Sequence, residues 1–417
     1  MPWSSSTGSG SGSGSCTDAL RRKIMKDTAL FIRSSGASRY KFNDEHPFNP
    51  LRLELAGSLL ETAGALSPDM VLEAHSAQDI ELERIHRADY MDAVRKLSVR
   101  APHPDSLALA ARYGLTTEDT PYFEGMHEAA AAISGGSILA AETVMSGRAL
   151  HAYHMGGGLH HAFPGHGSGF CVYNDAAVAI AAVKDKYKAR ILYIDTDVHH
   201  GDGVQYAFYE DPDVFTYSIH ETGKYLFPGT GFTHEKGIDK GYGACCNIPL
   251  QPYTEDESWL EAFSESITRV ARAFKPDLIV SQHGCDAHAF DPLSHIHCSM
   301  RIYLEMPRII HELAHEHCGG RWVALGGGGY DLWKVVPRAW SLVWMAMSDH
   351  EISSRLAAAP SSPAPLPEQW LSRWQPLSPE PLPEHWLDPL DIWEPMPRRE
   401  EIRLQNRAAW ELAVQDL

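Results

Sequence analysis

Between Ala29 and about Ser348, short apolar runs alternate with longer stretches of helical period. Unbroken apolar runs mark strands buried on both faces, and strands alternating with helices imply a parallel sheet with crossover helices. The predicted strands are Ala29 to Ile32 (ALFI), Ile191 to Asp197 (ILYIDTD), Val214 to Ile219 (VFTYSI), Asp277 to Gln282 (DLIVSQ) and Trp322 to Gly327 (WVALGG). Helices are expected over Pro50 to Gly64, Met126 to Ser146 and Ser258 to Phe274. The alanine-rich composition of the second suits close packing on a sheet. No solenoid repeat interrupts the pattern.

The pattern changes at both ends. Residues 1–27 open with MPWSSSTGSGSGSGSC, which reads as a flexible Gly/Ser segment outside the fold and lacks the apolar stretch of a secretory signal. Beyond Ala357 the chain turns to Pro, Trp and Leu, with a near-repeat of PLPEQWL (Pro365 to Leu371) and PLPEHWL (Pro381 to Leu387). Dense proline favours extended backbone over long helices. Trp370, Trp374, Trp386 and Trp393 are too apolar for a solvated tail, so residues 357–417 are expected to dock on the 28–356 domain or on a second subunit. Arg398 to Leu417 is expected to form one polar-faced helix.

Composition narrows the function. The chain has 417 residues, 44% of them hydrophobic, enough for one large α/β domain. Its formal charge of -18 argues against nucleic acid, which requires a basic footprint, and is compatible with cationic substrates such as lysine-rich segments or polyamines. No apolar run reaches the roughly 18 residues of a membrane span. Seven cysteines without a CxxC pair suggest reduced thiols and a cytoplasmic setting.

Three of the apolar strands run directly into ionisable residues, and open α/β sheets bind ligands beyond the carboxyl ends of their strands. In RILYIDTDVHHGDG, Asp197 and His199 are two residues apart, so in extended chain both side chains point to one side. Asp286 of DLIVSQHGCDAH joins them if the two strands are neighbours. Two carboxylates and one imidazole leave a position open for water, as catalytic zinc requires, and the oxygen-rich set also suits iron(II). Taken singly, each of these residues is equally a capped strand end; together they point to a metal. His160 and His161 follow three glycines in GGGLHHAFPGHGSGFCVYND, where paired imidazoles suit proton transfer and Asp195 and Asp202 lie ready to orient them. Tyr330 ends GGGGY after a third strand, placing a phenol where it can donate to a developing oxyanion.

These motifs, with FPGTG (Phe227 to Gly231), resemble the zinc-dependent histone deacetylase superfamily in order and spacing across roughly residues 29–348. QHGCDAH and EHPFNPLR (Glu45 to Arg52) look most like the bacterial acetoin-utilisation deacetylases. The resemblance implies a single doubly wound, mostly parallel sheet flanked by helices, of the arginase/deacetylase type, with the Pro/Trp-rich segment as a C-terminal extension. It implies Asp197, His199 and Asp286 as metal ligands, His160 with Asp195 and His161 with Asp202 as proton-transfer pairs, and Tyr330 as the group polarising the acyl carbonyl. The acyl-lysine stem would lie against the Gly169 carbonyl, Phe170, Phe227 and Leu293, with Asp119 on the rim accepting peptide N–H groups. A potassium ion beside the zinc would use Asp195, Asp197, His199, Ser218 and Ile219. Leu159 stands where many eukaryotic members carry Trp, which alters the pocket beneath the metal.

The expected activity is therefore metal-dependent hydrolysis of the acetyl amide of acetyl-lysine on proteins, with no nucleic-acid or membrane partner. A deacetylase of small acylated amines such as acetylpolyamines is the alternative. A two-manganese ureohydrolase of the same fold is disfavoured because Gly201 and Gly203 occupy the loop where further carboxylates would be needed. A non-catalytic acyl-lysine reader would have lost Tyr330 or a ligand.

Overall fold

In the computed structural model, which describes residues 29–100 and 105–417, eight strands form one wholly parallel sheet. The predicted Gly/Ser segment, residues 1–27, lies outside the described residues. In chain order the strands are β1 (Ala29–Arg33), β2 (Val71–Glu73), β3 (His151–His154), β4 (Ile191–Asp195), β5 (Val214–Glu221), β6 (Cys245–Leu250), β7 (Leu278–Gln282) and β8 (Trp322–Leu325). Across the sheet they run β2-β1-β3-β8-β7-β4-β5-β6.

All five predicted strands form, and three strands were not anticipated. β2 is a three-residue edge, β3 (HAYH) carries two histidines, and β6 (CCNIPL) contains Asn247 and Pro249. None reads as an apolar run, although β3 and β6 are buried throughout. The predicted helices appear as Leu51–Thr62, Met126–Met145 and Asp256–Phe274.

Helices cover both faces, and the alternation along β4 shows how. Leu192 and Ile194 join the apolar cluster built with Trp259, Ile302 and Trp340 from the helices Asp256–Phe274, Met300–Cys318 and Val336–Met347. Ile191 and Tyr193 face the opposite cluster, with Ala130 and Val178 from the helices Met126–Met145 and Asp175–Tyr187. Burial on both faces is why these strands read as continuous apolar runs.

The strand order fixes where a ligand can sit. From β4 the chain moves outward to β5, whereas from β7 it moves the opposite way to β8, yet β4 and β7 are paired neighbours. The loops leaving their carboxyl ends therefore part, opening a crevice at a topological switch point. The segments carrying Asp197 and His199, and Asp286, both begin there.

Residues beyond 357 return over this body. The indole N–H of Trp370 donates to the Leu55 carbonyl at 3.1 Å and that of Trp374 to Ser58 Oγ at 3.0 Å, both on the helix Leu51–Thr62. Trp386 is buried, and Trp393 packs edge-on against Phe290 with ring centroids 5.3 Å apart. The helix Arg399–Ala413 lies along β6, covering an edge that would otherwise be open to pairing. Its buried Asn406 accepts from Gln251 N at 2.8 Å and donates to Thr254 Oγ1 at 2.8 Å.

The strongest polar anchor is Asp388. Its Oδ1 forms an ion pair with Arg338 Nη2 at 2.9 Å, while Oδ2 accepts from Met300 N at 2.8 Å and lies 2.9 Å from His288 Nε2. Burial alone would raise this carboxyl, but the bond to His288 and the charge of Arg338 hold it well below the usual carboxylate range. A depressed folded pKa stabilises the protein fully above the unfolded value and less as pH falls through the folded one. Asp388→Ala leaves Arg338 buried without its partner, a loss of roughly 3–5 kcal/mol. Chemical denaturation at pH 7 should show that loss, and the gap to wild type should narrow as pH falls below about 4. A gap independent of pH would contradict the ionic anchor.

Candidate metal centre and active site

β4 ends at Asp195, two residues earlier than expected, so Asp197 and His199 sit in the bend that follows it. Extended-strand alternation is therefore not what aligns them. Each carboxylate accepts from the backbone two residues on: Asp195 Oδ1 from Asp197 N at 3.2 Å and Asp197 Oδ1 from His199 N at 3.0 Å. Successive Asx-type turns of this kind curl the segment inward. Asp286 enters from the loop after β7 and accepts from Val198 N through Oδ1 at 2.9 Å, locking the two loops together.

The result is a buried, three-sided cluster. His199 Nδ1 lies 3.2 Å from both Asp197 Oδ1 and Asp286 Oδ2, and one ligand atom from each residue falls within 4.8 Å of the others. One proton on Nδ1 cannot point at two carboxylates, whereas a cation satisfies all three groups together. The electrostatics agree. Burial and then the charge of Asp197 push Asp286 up to about 6. Burial disfavours charge on His199, but its bonds to Asp197 and Asp286 raise it well above its ordinary value. The donor set thus fits a divalent ion, which would relieve the crowding of like charges.

Side chains beyond the trio hold it in place. Gln282 Nε2 and Gly328 N each donate to Asp197 Oδ2 at 2.8 Å. A Cβ at Gly328 would lie 2.1 Å from Asp286 Oδ2, so the glycine-rich turn has to be bare there. Arg52, nearly fully buried, donates to the carbonyls of Gly327 and Gly329 at 2.9 and 3.3 Å and pins the same turn.

The histidine pair sits above the cluster with ring centroids 3.9 Å apart. His160 Nδ1 is 2.8 Å from Asp195 Oδ2, which also accepts from Tyr193 OH at 2.8 Å, and His161 Nδ1 is 2.7 Å from Asp202 Oδ1. The two rings are pushed in opposite directions. Burial works against charge on His160, yet Asp195, Asp197 and Asp202 raise it to about 9. His161 is driven well below its ordinary value by burial, then by charge on His160 and His199. One ring therefore holds a proton while its neighbour keeps a free lone pair.

Tyr330 is half-buried, with its backbone N–H bound to Asp291 Oδ2 at 2.7 Å. Burial and the charges of Asp286 and Asp197 hold its phenol well above the ordinary value, so it stays a hydrogen-bond donor. Phe170 packs edge-on against Tyr330 (5.5 Å between centroids), and Phe227, 41% exposed, packs edge-on against His161 (5.0 Å). Gly169 has a left-handed φ of 51°, and a Cβ there would meet the His161 ring at 2.5 Å. Leu293 is half-buried, held by its N–H on Asp291 Oδ1. Asp119 is exposed, and its carbonyl lies 3.1 Å from His46 Nε2. Ser218 is paired with Asp195 across β4 and β5, with Ile219 next along the strand.

Several functional neighbours were not picked out in the sequence. Gln282, Arg52, Tyr193 and Asp291 were among them, as was Asp175, which accepts from Gly158 N and Leu159 N and shapes the loop before the histidines. Gln282 had a signal, an amide closing the mostly apolar strand LIVSQ, and Arg52 and Asp175 end two of the quoted motifs; Tyr193 and Asp291 had none.

Comparison with known proteins follows this geometry. Residues 46–347 match the family described as histone deacetylase domain. The chain belongs to the histone deacetylase family. It is 50% identical over 386 residues to the acetoin utilization protein AcuC of Bacillus subtilis (strain 168), covering 92% of this chain and 95% of that one. It is 44% identical over 377 residues to AcuC of Staphylococcus aureus (strain MRSA252), covering 90% and 94%. Among solved structures, an HDAC homologue from Aquifex aeolicus superposes with a TM-score of 0.77 at 28% identity, covering 91% of this chain and all of that one. An HDAC homologue complexed with SAHA gives 0.78 at 28% identity, with 92% and 100% coverage. This chain is accordingly a hydrolytic deacetylase of a metal-dependent family that acts on acetylated substrates, with the doubly wound fold expected of it.

Removing one of three ligands should release the ion. Purified Asp286→Ala deacetylase should hold one metal ion fewer per chain than wild type and lose activity. The variant should remain folded, because the substitution also removes the repulsion with Asp197. Wild-type metal content in the variant, measured by mass spectrometry, would take Asp286 out of the ligand set.

Proposed function

We propose that this deacetylase removes acetyl from the side-chain amine of acetyl-lysine in proteins or peptides, using one zinc ion held by Asp197, His199 and Asp286. Iron(II) suits the same donors. The observation that carries the reading is the meeting of the three-ligand cluster with two oppositely biased His–Asp pairs and a protonated Tyr330 at one crevice. When bound, the ion supplies Lewis acidity and lowers the pKa of water.

The chain's own groups do the rest. His161, kept neutral and oriented by Asp202, takes the proton from the attacking water. His160, kept charged by Asp195, stabilises the negative charge that develops nearby. The proton collected at His161 Nε2 then passes to the departing amine, so that acetate and free lysine leave. Tyr330 donates its hydroxyl hydrogen to the developing oxyanion. Phe170 and Phe227, with the Gly169 carbonyl and Leu293, enclose the aliphatic stem, and Asp119 accepts N–H groups of the substrate backbone at the rim. A potassium ion beside Asp195, Asp197, His199, Ser218 and Ile219 supports the floor of the site. Residues 28–356 carry the catalysis, and residues 357–417 serve as a docked extension of the same body. The six described cysteines are all buried and unpaired, in keeping with a cytoplasmic enzyme.

Kinetics on acetyl-lysine peptides and matched acetylpolyamines, with wild type and Tyr330→Phe in parallel, test both substrate and mechanism. Peptides should be turned over with the higher kcat/KM, and the phenol deletion should lower kcat about a hundredfold, roughly 3 kcal/mol. Metal content and melting temperature should be unchanged. Preference for the small amines would shift the substrate class, and an unaltered kcat in Tyr330→Phe would remove the oxyanion role.

A further inference from the structure

A second group of ligand-type side chains lies at the opposite end of the sheet. His151 is the first residue of β3, whereas the catalytic residues follow the carboxyl ends of β3, β4, β7 and β8, and all strands are parallel. His311 and His315 are four residues apart on the helix Met300–Cys318, a spacing that puts both on one face. That face meets the start of β3. His311 Nε2 lies 3.1 Å from His151 Nε2 and 3.0 Å from His315 Nε2.

Hydrogen bonding alone does not account for this. An imidazole nitrogen has one direction in which to donate or accept, so His311 Nε2 can make one good bond and not two. Three imidazoles, each with a ring nitrogen within 4.8 Å of the others, are what an ion asks for. Nitrogens bound to a tetrahedral ion at about 2.05 Å stand roughly 3.3 Å apart, and only tenths of an ångström separate that from the two spacings at His311 Nε2. The set is graded from buried to open: His151 is 2% exposed, His311 half-buried and His315 exposed, which leaves the solvent side for a water ligand. The far nitrogen of His311, Nδ1, lies 3.9 Å from Asp349 Oδ1, beyond hydrogen-bond distance but close enough for the carboxylate to favour positive charge nearby.

We propose that His151, His311 and His315 form a second metal site, specific for a borderline transition ion such as zinc, nickel or copper(II). An all-imidazole set without carboxylate excludes magnesium and calcium. The site clips the helix Met300–Cys318 to the amino-terminal edge of the sheet and takes no part in deacetylation.

The test uses tag-free full-length protein, stripped with chelator, dialysed against excess zinc chloride, desalted and analysed for bound metal. His311→Ala/His315→Ala should retain one zinc fewer per chain than wild type, with its deacetylation rate unchanged. Zinc should raise the melting temperature of the stripped wild type more than that of the double variant. Since His315 is exposed, His315→Ala alone folds as wild type does and should likewise retain one zinc fewer per chain after desalting. Equal zinc retention by wild type and His315→Ala would overturn the site and leave the three rings as a surface cluster only.

Discussion

Everything in this structure answers to one electrostatic constraint: two carboxylates and an imidazole are turned toward a single point, largely shielded from solvent. Buried like charges are costly, and Asp286 registers the strain as a carboxyl pushed up to about 6. The surroundings are built to hold the cluster rather than relieve it. Asx-type turns curl Asp197 and His199 inward, Gln282 and Gly328 bind the far oxygen of Asp197, and Arg52 fixes the glycine turn that has to stay bare beside Asp286. An ion at the centre turns that unfavourable arrangement into a favourable one, so the geometry by itself marks a metal centre.

The same constraint explains the sheet. Ligands from β4 and β7 can meet only if those strands are neighbours whose onward connections part, and the order β2-β1-β3-β8-β7-β4-β5-β6 provides that. β8 on the other side of β7 brings the glycine turn and Tyr330 to the same rim. The chain after residue 357 reinforces this frame from outside. Asp388 binds His288, two residues beyond Asp286, and Arg338 of the helix Val336–Met347, so the returning segment braces the loop that bears a proposed ligand.

Much of this was legible in the sequence because function here depends on residues that break a pattern. Asp197, Asp286 and Tyr330 each follow an apolar run, and the His pair follows three glycines, so strand ends and ligands could be read together. What was missed has a common cause. β3 and β6 contain histidine, asparagine and proline, and their polar side chains reach partners far along the chain, as Ser137 Oγ lies 2.9 Å from His154 Nδ1 and Asn247 bonds Gln205. Burial of that kind leaves no periodic trace. The end of β4 was placed late for a related reason: Asp195 and Asp197 satisfy backbone N–H groups locally, and the strand stops where they begin to do so.

The central claim is that the cluster is a metal centre whose ion is required for amide hydrolysis. It is tested most directly by following acetyl-lysine peptide turnover while the protein is stripped by chelator and then titrated with zinc. The account predicts that turnover vanishes on stripping and returns in proportion to zinc until the catalytic site is filled, with no change in secondary structure by circular dichroism. Full turnover by protein shown to contain no metal would contradict it.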